Sequence, residues 1–336
     1  MQGKRIVLAQ YPTGMPGHDD LKMQAFDVAA PGEGEVALRT LYLSLDPYMR
    51  GRMSTAKSYA AKVELGQVIT GETVSEVTES RDERFSKGDI VRAHTGWTTH
   101  AVMSAKAVTK VDPDIAPIST ALGVLGMPGF TAYGGLKVHG DPKPGETVVV
   151  SAAAGAVGQI VGQLAKIWGC RAVGIAGGPD KCALVTGTFG FNACVDYKAA
   201  DFRDQLAAAC PDGIDIYFEN VGGDVLKAVL PLMNDFGRIP VCGLIAYYNM
   251  SAPAQGTDDL PMLMRMTLTK RLRIHGFINY DHAEWRPDFE REMPAWVRNG
   301  KVRYVEDVVD GIDNAVDAFQ GLLTGRFTGK VLVKVG

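Results

Sequence analysis

Cysteine is scarce in this chain, and its placement excludes more than its number does. The five cysteines are Cys170, Cys182, Cys194, Cys210 and Cys242, and none precedes Cys170. The count is odd and no pair is spaced C-x-x-C, so neither a disulfide framework nor a four-thiolate zinc site is expected. Free thiols in a reducing compartment are the expectation, and with them a cytoplasmic protein. Long apolar runs are also missing. None approaches the ~20 residues that a membrane span requires, and Ile6 to Ala9 is too short for the core of a signal peptide. Charge of one sign is lacking too. A net charge of −3, with Lys and Arg not gathered into runs, leaves no footprint for nucleic acid.

What is present fits a soluble enzyme. The 336 residues are 46% hydrophobic and 22% charged, and their number points to two domains. Residues 1 to about 120 read as β-rich, with candidate strands at Ile6 to Ala9, Glu35 to Leu43, Val68 to Val77, Ile90 to His94 and Thr99 to Met103. Helical periodicity is scarce there, so an irregular barrel is expected rather than a parallel sheet.

The texture changes near Thr120, and the second half of the chain is organised around the stretch Glu146 to Trp168. Thr147 to Val150 reads as a buried strand, Ala152 to Gly158 as a turn of small residues, and Val157, Ile160, Val161, Leu164 and Ile167 recur at helical spacing. Strand, tight turn and helix offer backbone N–H groups to a dinucleotide pyrophosphate. Ala153-x-Gly155-x-x-Gly158 is the dinucleotide fingerprint with alanine in its first slot. Gly155 lets backbone approach phosphate, and Gly158 lets helix and strand pack closely. A mere helix–sheet contact would need the same small residues, but the strand-and-helix units beyond Trp168 favour the binding site.

Those units alternate regularly. Strands are expected at Arg171 to Ala176, Ala193 to Asp196, Ile214 to Glu219, Arg238 to Cys242 and Arg273 to Phe277, with helices between them. Asp180 is expected to cap the helix after the second of the six strands. Six parallel strands between Val148 and Phe277 make a doubly wound α/β fold. A strand at Val302 to Val305, a helix at Ile312 to Leu323 and a strand at Lys330 to Val335 return to the first domain. The domains expected are therefore residues 1–122 with 300–336, and residues 123–299.

An acidic residue at the end of the second strand would bind the ribose of NAD. Here Gly174-Ile175-Ala176 is followed by Gly177-Gly178-Pro179-Asp180-Lys181, a small loop with a lysine beyond it, which suits the 2′-phosphate of NADP. Asp180 is the counter-evidence, explained more simply as the N-cap of the following helix. The loops after the fourth and fifth strands, Glu219 to Gly223 and Cys242 to Asn249, are expected beside the nicotinamide. The second carries Tyr247 and Tyr248, and a phenol can donate a hydrogen bond to a developing enolate.

Five segments carry a resemblance: Leu45-Asp-Pro-Tyr-Met-Arg-Gly-Arg52, Gly123-Val-Leu-Gly-Met-Pro-Gly-Phe-Thr-Ala-Tyr133, Ala152-Ala-Ala-Gly-Ala-Val-Gly158, Tyr217-Phe-Glu-Asn-Val-Gly-Gly223 and Cys242-Gly-Leu-Ile-Ala-Tyr-Tyr-Asn249. Together the chain resembles the zinc-free medium-chain dehydrogenase/reductases, in their NADP-dependent alkenal/one double-bond reductase branch of prostaglandin, plant double-bond and bacterial curcumin reductases. The resemblance implies a GroES-like barrel as catalytic domain, a Rossmann domain for NADPH, and a homodimer. It implies that Ala153, Gly155, Ala156, Val157, Gly158, Gly178, Lys181, Tyr197, Asn220, Val221, Cys242, Gly243 and Tyr248 line the cofactor, with Lys181 and Tyr197 on the 2′-phosphate. The resemblance further implies that Tyr248 lies near the substrate carbonyl and that Tyr48 and Arg50 lie on the substrate side. Tyr48 also suits a packed aromatic after Pro47, and Tyr247 beside Tyr248 leaves open which phenol faces the ligand.

Zinc-dependent relatives carry G-H-E-x-x-G, where this chain has Gly66-Gln67-Val68-Ile69-Thr70-Gly71, so no metal is expected. Without a Lewis acid, reduction of a C=C bond conjugated to a carbonyl is easier than ionising an alcohol, because the enolate needs only hydrogen bonds. The expected activity is NADPH-dependent reduction of enones and enals. Quinone reduction and non-catalytic NADPH binding are the alternatives. One departure is Phe327, where the family usually has Asn two residues before Gly-Lys. Loops Met53 to Leu65 and Met250 to Pro261 are expected to shape the pocket.

Overall fold

A computed structural model describes residues 2–250 and 259–336. Most of the loop Met250 to Pro261 therefore lies outside the described residues. The chain gathers into two compact units. The first takes the chain through Gly123, the stretch beginning at Tyr248, and Glu306–Gly336. The second takes Val124–Tyr247 and the chain leading to Val305.

In the first unit β1 (Gln2–Leu8) and β2 (Leu21–Asp27) form an antiparallel pair. β2 was not expected, because most of its residues face solvent, which leaves no apolar alternation to read. Then come β3 (Glu35–Ser44), β4 (Thr73–Ser80), β5 (Ile90–Ala93), β6 (His100–Ser104) and β7 (Thr109–Lys110). The strand expected at Val68 to Val77 is two things. Gln67 and Ile69 bond to Leu8 and Ile6 of β1, and only from Thr73 does the chain join the ladder of β3. Packing here centres on Trp97, fully buried and edge-on to Phe319 at 5.5 Å.

The second unit is built on β8 (Thr147–Ser151), β9 (Arg171–Ala176), β10 (Ala193–Asp196), β11 (Ile214–Phe218), β12 (Met233–Val241) and β13 (Arg273–Gly276). All pairs are parallel, in the order β10-β9-β8-β11-β12-β13. Successive residues of β8 point to opposite faces. Val148 and Val150 join Ile160, Val161 and Leu164 in one core, whereas Val149 joins Val173, Ile175 and Tyr217 in another. Both faces are covered, which is why the run is continuously apolar. Gly162, on the helix Gly158–Ile167, makes room for Phe191, whose ring lies 2.0 Å from where a Cβ would sit. The strand order reverses between β8 and β11, so the crevice outside their carboxyl ends is the place for a ligand.

The tail contributes β14 (Glu306–Asp310) and β15 (Lys330–Lys334) to the first unit, completing a sheet in the order β14-β15-β3-β4-β5-β7 with β6 on β3. Between them, the expected helix at Ile312 is a 3-10 turn that passes into a helix only at Ala315–Leu323. The expected strand at Val302 to Val305 is absent. Side-chain amides take the place of a neighbouring strand there. Gln163 accepts from the Arg303 N–H at 2.8 Å and donates to its carbonyl at 2.8 Å, and Gln159 accepts from the Val305 N–H at 2.9 Å. These bonds tie residues 303–305 to the second unit, and the stretch from Tyr248 groups with the first; the sequence expectation divides both stretches the other way.

Candidate active site

The glycine-rich loop begins where β8 ends. Ala152 takes a left-handed conformation (φ 51°), and its carbonyl accepts the N–H of Gly155 at 2.9 Å. A Cβ on Gly158 would stand 2.2 Å from that same carbonyl oxygen, so only glycine fits. Ala153 is fully buried and bonds to Ile175 at 3.0 Å. Its methyl faces Gly174, where a Cβ would come within 2.8 Å, so the missing side chain on β9 accommodates alanine in the first slot of the fingerprint. Ala156 and Val157, both partly exposed, lead into the helix, with Val157 as its N-cap residue.

Beyond β9 the structure corrects the cap. Gly178 (φ 98°), not Asp180, is the N-cap of the helix Pro179–Gly187, with Pro179 in its first turn. The Gly178 N–H is held by Asp196 Oδ1 at 2.8 Å, which also accepts from the Lys198 N–H at 2.9 Å. These two amides hold the Asp196 carboxyl below its ordinary range. The half-exposed Tyr197 lies against Gly177, its ring 2.8 Å from where a Cβ would stand. Lys181 sits in the first turn of the helix. Gly178, Lys181 and Tyr197 thus share one loop cluster at the ends of β9 and β10.

The loops after β11 and β12 are tied to each other. The Asn220 carbonyl accepts from Ile245 at 3.2 Å and the Val221 carbonyl from Ala246 at 3.0 Å. The Asn220 side chain donates to the Ser151 carbonyl at 2.8 Å. The N–H groups of Cys242 and Gly243 converge on the Glu219 carbonyl at 2.9 and 3.1 Å. Burial, with the nearby Glu219, pushes the Cys242 thiol up to about 12. Glu219 itself is 1% exposed, with Val221, Gly222, Tyr217 and Ser151 all donating to its Oε1. Burial raises its carboxyl above the ordinary range against the pull of those bonds. Sequence reasoning placed Glu219 and Asp196 at strand ends but missed that their carboxylates hold backbone N–H groups of the adjoining loops, because those partners are set by the tertiary fold.

In the first unit Tyr48 precedes the short helix Met49–Arg52, and the Arg52 guanidinium lies 5.7 Å from its ring centre. Burial, with Asp46 and Glu72 nearby, raises its phenol. Arg50 is buried, and its hydrogen bonds are internal to the unit. It donates to the carbonyls of Gly14 at 2.8 Å and Pro12 at 3.2 Å, and to Asn249 Oδ1 at 3.2 Å. Arg50 therefore holds Asn249, the neighbour of Tyr248, and nothing in the local sequence announced that pairing. Phe327 packs against Gly321, its ring 2.6 Å from where a Cβ would stand, under the Arg326 guanidinium. Gln67 is exposed, and its Oε1 accepts from the Glu64 N–H at 3.1 Å. Among the described residues no three His, Cys, Asp or Glu are arranged to hold a metal ion, and no helix is long and apolar enough to cross a membrane.

Two families match this chain: the N-terminal domain of oxidoreductase over residues 4–111, and the zinc-binding dehydrogenase over residues 156–293. It is 50% identical to the NADPH-dependent curcumin reductase of Escherichia coli over 335 residues, which are 99% of this chain and 97% of that protein. It is 42% identical to the 2-alkenal reductase (NADP(+)-dependent) of Nicotiana tabacum over 341 residues, covering 100% and 98% of the two chains. The crystal structure of CurA from Vibrio vulnificus in complex with NADPH superposes with a TM-score of 0.95 at 48% identity, covering 99% of each chain. The chain belongs to the zinc-free medium-chain dehydrogenase/reductases, in the family of curcumin, 2-alkenal and prostaglandin reductases.

Proposed function

We propose that this protein is an NADPH-dependent reductase of the C=C bond of enones and enals, with curcumin-type diketones among its substrates. The observation that carries the reading is the cluster of Gly178, Lys181 and Tyr197. The loop there is built of glycine, a lysine stands in the first helical turn, and the carboxylate of Asp196 is engaged by two backbone amides. That donor set fits the 2′-phosphate of NADPH, and the close approach at Gly158 fits its pyrophosphate. Ala153, Gly155, Ala156, Val157 and Gly158 would cradle the phosphates, and Asn220, Val221, Cys242 and Gly243 would border the nicotinamide. Bound there, NADPH would supply the hydride for the β-carbon of the substrate, becoming NADP+, and a proton drawn from solvent would then convert the enolate to the saturated carbonyl product.

The protein's own part is to stabilise the enolate that results. Tyr248 would donate a hydrogen bond to the carbonyl oxygen as negative charge develops there. Arg50 holds the neighbouring Asn249 and so fixes the chain beside Tyr248. Tyr48, its phenol raised by burial, keeps its proton at neutral pH and is available as a second donor. A cytoplasmic location agrees with five free thiols. A homodimer agrees with β13, an edge strand whose four residues are exposed, and with the exposed Leu260, Met264 and Leu268 on the preceding helix. The likeness to quinone oxidoreductases, at 21% identity and a TM-score of 0.76, is one of fold.

A steady-state screen of NADPH oxidation with enals, enones, quinones and curcumin-like diketones tests the proposal. Turnover of enones ahead of quinones is the expected result; no turnover of any enone or enal overturns it.

A further inference from the structure

We propose that Glu219 is a positioning residue, a buried carboxylate that locks the turn carrying Asn220 and Val221 in the shape that receives the nicotinamide; the inference rests on the cofactor reading above. Its Oε1 is approached by four donors: the N–H of Val221 at 2.6 Å, the N–H of Gly222 at 2.9 Å, the Tyr217 hydroxyl at 3.0 Å and the Ser151 hydroxyl at 3.1 Å. Its Oε2 is buried and has no hydrogen-bond partner among the described residues.

The fold does not need this carboxylate to end its strand. The Glu219 backbone does that alone, donating to the Pro240 carbonyl and accepting from Cys242 and Gly243. Burying the carboxylate is unfavourable in itself, and the four donors that meet Oε1 offset that cost. What the side chain adds is conformational. Gly222 and Gly223 both take positive φ, 78° and 57°, so the turn bends sharply and the preceding N–H groups converge into a concavity for an anion. Glu219 supplies that anion from within the chain, which leaves the turn one shape with or without a ligand. Ser151 extends the lock. Its hydroxyl meets Glu219 and accepts from the Asn220 N–H at 2.9 Å, and the next residue opens the glycine-rich loop. One carboxylate therefore joins the turn at the nicotinamide end to the strand that leads into the phosphate loop.

The test compares Glu219→Gln, which keeps the shape and removes the charge, with Tyr217→Phe and Ser151→Ala, which each remove one donor. In the cofactor-free protein, amide hydrogen exchange at Val221 and Gly222 should quicken in Glu219→Gln while the core strands keep their protection. The fluorescence of bound NADPH, which reports the surroundings of the nicotinamide, should move toward that of free NADPH. Affinity for adenosine 2′,5′-bisphosphate, which lacks the nicotinamide, should be unchanged. With an enone substrate kcat should fall roughly ten- to a hundredfold, since misplacement of about 1 Å costs on that order. Tyr217→Phe and Ser151→Ala should show the same pattern to a smaller degree. Unchanged exchange and fluorescence in Glu219→Gln overturn the proposal. An equal loss of adenosine 2′,5′-bisphosphate binding and thermal stability also overturns it, by making Glu219 a general brace. If Glu219→Gln does not fold, the two donor variants decide by the same readings. Should the wild type reduce no enone, the reductase reading falls while exchange and fluorescence still judge Glu219.

Discussion

The phenol oxygen of Tyr247 accepts the backbone N–H of Gly223 at 2.9 Å. Its ring lies over Gly222, 2.7 Å from where a Cβ would stand. Tyr247 thus serves the turn after β11, whereas Tyr248, the next residue, groups with the other unit.

That division predicts their variants. Tyr248→Phe should lower kcat more than it alters NADPH affinity, because a hydrogen bond to the carbonyl acts mainly on developing charge. Loss of one such donor costs on the order of 10² to 10³ in rate elsewhere, and less is expected here because water or a ribose hydroxyl can substitute in part. Tyr247→Phe removes an acceptor from an exposed N–H, so a stability loss of about 0.5–1.5 kcal/mol and a small change in kcat are expected. Steady-state kinetics and thermal melts of both variants check this; a crippled Tyr247→Phe beside a benign Tyr248→Phe would reverse the assignment.

Lys181→Ala should raise the KM for NADPH and leave NADH use nearly unchanged, since only a charge-assisted contact to the 2′-phosphate is removed. Equal losses with both cofactors would show that another group discriminates between them.

Prolonged dialysis against a strong chelator should leave activity intact, and elemental analysis should find no stoichiometric zinc. The first unit contains no cysteine, and Gln67 is engaged with the backbone of Glu64. Activity restored specifically by added zinc would contradict this.

Acid should find a weak point at three clustered histidines. His139 stacks on His275 with ring centres 4.1 Å apart, and its Nε2 lies 2.8 Å from that of His282. Burial first, then the two neighbouring rings, pushes His139 down to about 4. The unfolded chain therefore binds more protons than the folded one between the ordinary histidine value, near 6.5, and about 4. Stability should fall as pH is lowered through that window, and level off with respect to this group below it. Melting temperature against pH should be shallower over the same range in His139→Gln. Parallel curves would mean that another group carries the acid sensitivity.

Part of this protein is determined by local sequence. The continuous apolar run of β8 needs both faces covered, and the requirement for glycine at Gly158 comes from a carbonyl six residues away, so strand, turn and helix are legible together. The absence of cysteine before Cys170 is likewise a property of the sequence alone. Tertiary structure decided the rest, because the deciding bonds join residues far apart in the chain. Arg50 meets Asn249 across 199 positions, and Gln163 meets Arg303 across 140. Glu219 gathers donors from Ser151 as well as from its own turn. Periodicity records which face of an element is buried; it does not record which distant amide or carboxylate will satisfy a backbone N–H once that face is buried. Gly178 displaced Asp180 as a helix cap for the same reason, since Asp196, on the neighbouring strand, holds the Gly178 N–H.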